Sequence, residues 1–176
     1  MVYFWALPRL ANRCANILLS FALSTLCTCA LAQFAASDPD WKESDAPPPP
    51  SFDVNRLVPF EVSPNTTLKW GFDPAAMKIT GDGIVRYVVV AQSPSGVVNA
   101  LYEAVRCTTG EWKSYARYNK DSGWTAIADP QWKSLYEYQP SKHALRLAQQ
   151  GMCTGSAPAT TVADVVRSVK KGNFSQ

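Results

Sequence analysis

IVRYVVVAQSPSGVVNALYEAVRCTTGEWKSYARY, residues 84–118, decides the fold. Residues 84–91 are rich in β-branched side chains and apolar on both faces, which predicts a strand covered on two sides. Ser93-Pro94-Ser95-Gly96 supplies proline and glycine where a type I turn closed by a left-handed residue needs them. The chain returns through residues 97–107, turns at Thr108-Thr109-Gly110 and leaves through residues 111–118. In that last strand Trp112, Ser114, Ala116 and Tyr118 alternate with Glu111, Lys113, Tyr115 and Arg117. Charge gathers on the second set, so its face is expected to meet water. The three strands read as an antiparallel meander.

Upstream, residues 56–62 (RLVPFEV) and 66–72 (TTLKWGF) read as strands, with Pro59 confining the first to an edge or a bend. Residues 77–80 form a short third, ending at the Gly81-Asp82-Gly83 turn. Downstream, 119–123 is a loop, and 126–137 is ambiguous, with Asp129-Pro130 able to open a helical turn carrying Trp132 and Leu135. Residues 141–150 are a helix with Ser141 as N-cap and Gly151 as its stop. A second helix runs from Thr160 or Thr161 to Lys171. Val162, Val165, Val166 and Val169 form its apolar stripe, and Asp164 completes a capping box. Strands first and helices later predict an α+β fold, an antiparallel meander followed by C-terminal helices.

The N-terminus is of another kind. Residues 1–32 hold Arg9 and Arg13 and no acidic residue, then an apolar run from Cys14, then Ala30-Leu31-Ala32. A basic start, an apolar middle and a small-x-small end describe a secretory leader cleaved after Ala32. No stable membrane span is expected after that cleavage. A retained span fits less well, because the run is short and nothing basic follows it. Lipoprotein anchoring also fits less well, since Leu26 and Thr28 precede Cys27 and Cys29 where a small residue is wanted. Residues 33–51 are acidic and proline-rich and predict a flexible lead-in, with Pro47 to Pro50 as an extended spacer. Residues 52–176 are then one domain.

Removing Arg9 and Arg13 from the 17 basic residues leaves 15 against 14 acidic. That near-neutral balance excludes nucleic acid, whose phosphates demand clustered cations. Two cysteines remain beyond the leader, Cys107 and Cys153, and in an exported chain they are expected to pair. A redox role would favour a Cys-x-x-Cys spacing, which is absent.

Chemistry is sparse. His143, the sole histidine, has no local nucleophile motif and reads as a surface side chain. One histidine and a bridged cysteine pair give no zinc site, and Asp38, Asp40, Glu43 and Asp45 lack the glycine and terminal glutamate of a calcium loop. No metal or cofactor is read from the sequence. Glu103 is the one carboxylate placed to act as a general acid, though a cross-strand ion pair with Arg86, Lys113 or Arg117 is the plainer reading. Trp112, Tyr115, Tyr118, Trp124, Trp132, Tyr136 and Tyr138 crowd one stretch and offer a candidate binding surface for a glycan or an envelope protein. Covering the sheet is their simpler use.

The segments DPDWKE (38–43), KWGFD (69–73), VRYVVVAQSPSGVVNALYEAVRC (85–107) and EWKSYARY (111–118) resemble the CNP1-like family of exported proteobacterial proteins. The resemblance implies a periplasmic domain of Gram-negative bacteria and carries no catalytic set or cofactor with it. The leading expectation is a non-enzymatic envelope domain that binds or assists a partner. The alternative is a small hydrolase or transferase acting on cell-wall material through Glu103.

Overall fold

The computed structural model describes residues 38–173. The leader and the cleavage point after Ala32 lie outside them. The strands are β1 (Val58–Pro59), β2 (Lys69–Phe72), β3 (Lys78–Ile79), β4 (Ile84–Gln92), β5 (Val98–Arg106), β6 (Glu111–Asn119), β7 (Gly123–Ala126), β8 (Lys133–Ser134), β9 (Cys153–Thr154) and β10 (Ala157–Pro158). Helix α1 (His143–Leu147) runs on as a wider π-helical turn through Met152, and α2 spans Val162–Asn173.

The meander is present, and it forms the centre of an antiparallel sheet ordered β1-β2-β4-β5-β6-β7, with β3 on β4 and β8 on β6. β1 is an edge strand, the position its proline permits. Gly96, at φ 84°, closes the β4–β5 turn and fixes the register, pairing Gln92 with Val98 and Ile84 with Arg106. Both α-helices among the described residues are short, so these residues form a sheet-rich antiparallel domain with less helix than the α+β expectation suggests.

The first eight residues of β4 are buried because both faces of the sheet are covered. On one face Phe72, Val85, Tyr87, Val89 and Val105 pack against Leu147, Met152, Val165 and Val169 of the helical layer. On the other, Val88, Val90, Ala100, Tyr102 and Ala116 lie under Phe52, Leu57, Tyr115, Tyr118 and Trp124.

The lead-in departs from expectation. It has no regular structure, yet from Trp41 to Ser44 it is fastened to the sheet rather than free. Trp41 Nε1 donates to the Asp82 carbonyl at 2.8 Å, Ser44 Oγ donates to Asp82 Oδ2 at 2.6 Å, and Arg86 Nη2 donates to the Ser44 carbonyl at 2.7 Å. The Arg106 guanidinium stacks on the Trp41 ring at 3.6 Å. Few aliphatic side chains implied little to bury, but one tryptophan and a set of charge-assisted bonds serve instead.

Two further expectations fail for identifiable reasons. β6 carries an extra residue: Tyr102 pairs with Ala116 and Glu103 with Ser114, leaving Tyr115 as a bulge. A bulge reverses side-chain alternation. Trp112, Ser114 and Arg117 therefore share the helical face, while Lys113, Ala116 and Tyr118 share the lead-in face, and no single charged face meets water. Residues 126–137 contain no helical turn. Strand β8 instead pairs Lys133 and Ser134 with Trp112 and Glu111, and Leu135 N–H donates to the Gly110 carbonyl at 2.9 Å.

Cys107, just past β5, is bonded to Cys153, just past the π-helical turn, with Cα atoms 5.6 Å apart. The bridge ties the central sheet to the helical layer as expected. Thr161 Oγ1 accepts the Asp164 N–H at 3.1 Å and starts α2. Gly151 serves beyond helix termination. At φ 150° it lets α2 approach so closely that a Cβ there would lie 2.5 Å from Ser168 Cβ.

Candidate functional site

Counting back five residues along each strand from the Gln92–Val98 pair reaches Tyr87 and Glu103, directly opposite on the helical face. Glu103 is fully buried. Its Oε2 accepts the Tyr87 hydroxyl at 3.0 Å and meets His143 Nε2 at 2.8 Å. Burial, and then the adjacent Glu103 charge, push the Tyr87 pKa well above the ordinary phenol value, so the phenol stays a donor.

Here the sequence reading is corrected twice. His143 is buried, 5 % exposed, because the first residue of α1 points down onto the sheet. Its ring stacks on Trp70, with centroids 4.8 Å apart and planes 6° apart, and meets the edge of Trp112 at 6.2 Å. Nor does Glu103 pair with Arg86, Lys113 or Arg117. Arg86 lies on the opposite face with Ser44, Thr80, Asp82 and Glu43, and Lys113 Nζ bonds Glu43 at 2.8 Å. Arg117 shares the helical face but forms no ion pair among the described residues.

The hydrogen bonds constrain the imidazole. A carboxylate only accepts, so Nε2 carries the proton shared with Glu103, and in the neutral ring Nδ1 is left as an acceptor. Ser141 Oγ sits 3.1 Å from Nδ1. Ser141 was expected to cap the helix, but the N-cap position falls on Lys142, which makes no side-chain cap hydrogen bond; Ser141 Oγ accepts the His143 N–H at 3.4 Å from one residue further out. Its bond to the ring is additional.

These three residues line a cleft of about 490 Å³ between β5, β6 and the loop leading into α1. Arg117, Lys133, Gln139 and Tyr138 stand around it. Four buried side-chain polar atoms lack a protein partner among the described residues, and three of them belong to residues lining this cleft: Glu103 Oε1, Trp112 Nε1 and Gln139 Oε1. The fourth, Arg86 Nε, is on the other face. A larger cleft of about 1060 Å³ beside Phe52, Tyr118 and Trp124 holds no such atom.

The seven aromatic residues do not form one surface. Trp112 lies against His143 on the helical face. Tyr115 packs on Tyr102, Tyr118 and Trp124 pack with Phe52, and Trp132 meets Trp41 edge-on while donating to Glu43 at 3.0 Å. Tyr136 and Tyr138 are 71 % and 93 % exposed. Among the described residues, no three His, Cys, Asp or Glu side chains gather as a metal site would require, and no helix is long and apolar enough to cross a membrane.

Sequence reasoning missed Tyr87, Trp70, Gln139 and the Ser141 ring contact. Register counting from the turn was the available signal for Tyr87; nothing local marked the others. Among known proteins, the family model described as CNP1-like family matches residues 36–170. That span takes in the docked lead-in, so the domain begins before Phe52. Neither the curated proteins nor the solved structures contain a match.

Proposed function

The chain belongs to the CNP1-like family, and we propose that it is an exported, periplasmic domain that binds a small polar ligand in the cleft above Glu103 and His143. Export is supported by the order of residues 1–32 and by the Cys107–Cys153 bond, which suits an oxidising compartment. N-terminal sequencing of the protein from cells tests it, with Gln33 expected first and Met1 contradicting it.

One observation carries the binding reading: among the described residues, three of the four buried polar atoms without a partner belong to residues that line one cleft. A buried polar atom without a partner costs about 1–3 kcal/mol, a cost a ligand can relieve. Two of the three are acceptors and call for a hydrogen-bond donor. Arg117 and Lys133, unpaired among the described residues, favour an anionic group on the same molecule. A hydroxylated or amino-substituted small carboxylate meets both demands, a chemistry shared by amino acids, hydroxy acids and acidic sugars.

Saturation-transfer NMR with glutamate, lactate, galacturonate and N-acetylmuramate tests the reading. At least one should bind, and Arg117→Ala and Tyr138→Ala should each weaken it about tenfold. Indifference of the wild-type protein to all four, or binding untouched by both substitutions, contradicts it.

A further inference from the structure

We propose that Ser141, His143 and Glu103 form a nucleophile–base relay and that the cleft hydrolyses small anionic esters. The proposal rests on the binding reading above and adds a reaction to it. Ser141 Oγ is 3.1 Å from His143 Nδ1, and His143 Nε2 is 2.8 Å from Glu103 Oε2. A hydroxyl, an imidazole and a carboxylate in that order are the arrangement by which a weak hydroxyl becomes a nucleophile.

Exposure is graded in the required direction. Glu103 is sealed, His143 is nearly so, and Ser141 is half-buried at the cleft. Glu103 is a positioning residue here. The Tyr87 hydroxyl and Trp70 stacking fix the far side of the pair, so the imidazole cannot swing away from Ser141. The ring presents Nδ1 to the hydroxyl and Nε2 to the acid. Either nitrogen serves as base once the other is held by a carboxylate.

The oxyanion donor is the Trp112 N–H, one of the three atoms behind the binding reading. Trp112 Nε1 is a buried N–H without an acceptor among the described residues, and Trp112 lines the same cleft beside His143. A preorganised donor of this kind contributes about 10²–10³ in rate. Arg117 and Lys133 on the cleft wall select an acyl group that carries its own carboxylate.

The chemistry closes with water as the only co-reactant. Ser141 Oγ attacks the ester carbonyl carbon while its proton passes to His143 Nδ1, and the carbonyl π pair moves onto oxygen beside Trp112 Nε1. That pair re-forms the carbonyl as the C–O bond to the alcohol breaks. The alcohol leaves with the bonding pair and takes the proton from Nδ1. Water then attacks the acyl-serine, gives one proton to Nδ1, and Ser141 Oγ leaves and recovers it. Ester plus water becomes acid plus alcohol.

The test treats the mature chain with a biotinylated fluorophosphonate and maps the adduct by mass spectrometry, alongside hydrolysis of p-nitrophenyl hemisuccinate and p-nitrophenyl acetate. The expected result is one adduct, on Ser141, absent in Ser141→Ala. The hemisuccinate should be preferred at least tenfold, and Arg117→Ala should remove that preference. Glu103→Gln should cut turnover at least tenfold and move its pH profile. Ser141→Ala keeps the test sound if Glu103→Gln does not fold, because it removes a half-buried hydroxyl and circular dichroism verifies its fold. An unlabelled Ser141, or hydrolysis undiminished in Ser141→Ala, overturns the proposal. If the carboxylates above still bind in that case, the binding reading survives; if they do not, both fall.

Discussion

Glu43 Oε2 and Lys113 Nζ, seventy residues apart in the chain, meet at 2.8 Å across the face of the sheet opposite the helices. The same carboxylate accepts Trp132 Nε1 at 3.0 Å and the Tyr115 hydroxyl, and Arg86 Nη2 lies 3.6 Å away. A segment that composition marks as a tether is thereby part of the folded domain. Glu43→Ala should cost about 1–3 kcal/mol. It should also open residues 38–51 to protease at native conditions, read as a new N-terminus in limited proteolysis. Unchanged resistance would show that the carboxylate does not hold the segment.

Acid should release the same segment. Burial alone pushes the Asp82 pKa up. The Ser44 and Thr80 hydroxyls, the Ser44 N–H and the Arg86 charge outweigh it and bring it from 3.8 down to about 2. Glu43 is held below its ordinary value in the same way, burial being outweighed by bonds from Lys113, Tyr115 and Trp132. A folded pKa below the unfolded one contributes stability that is complete above the unfolded value and lost as pH falls through the folded one. For Asp82 this is about 2 kcal/mol, disappearing between about pH 4 and pH 2. Tryptophan fluorescence, with Trp41 and Trp132 as reporters, should change over that window, and Asp82→Asn should flatten the stability profile there.

Reducing the Cys107–Cys153 bond removes a constraint on a chain separation of 46 residues. The loop-closure model assigns it about 4 kcal/mol, and native disulfides commonly deliver about 2–5. Melting with and without reductant should differ by about 5–15 °C. Coincident curves would mean the bridge adds no stability.

Gly151→Ala should be among the costliest single-methyl additions. The new Cβ meets Ser168 Cβ and the Val165 carbonyl, and the backbone there is one that side chains rarely adopt. Overpacking and left-handed strain together come to about 2–4 kcal/mol. Gly81→Ala, with nothing within 4 Å, is the control and should change stability little. Chemical denaturation of the two variants measures the contrast.

The sequence made the meander legible because β-branched strands and glycine turns are local signals. Pro59 on an edge strand, the Thr161 cap and the disulfide were legible for the same reason, each depending on a residue type and its immediate neighbours. The bulge at Tyr115 was not, since it is a property of two strands together. It puts Trp112 and Ser114 on the helical face, opposite the face that carries Tyr118. Glu103 was legible as the carboxylate to watch. Its partner was not, because a histidine forty residues away comes to it only when α1 docks on the sheet. His143 looked like a surface residue for want of a local motif, and the motif it has is tertiary.

The Glu103–His143 pair is directly measurable, because the chain has a single histidine. Nitrogen-15 NMR of protein labelled only at histidine reports one imidazole. The account predicts an Nε2–H proton in slow exchange, strongly hydrogen-bonded, and displaced in Glu103→Gln. An imidazole whose Nε2 proton exchanges as rapidly as in free histidine, and which does not respond to Glu103→Gln, would contradict it.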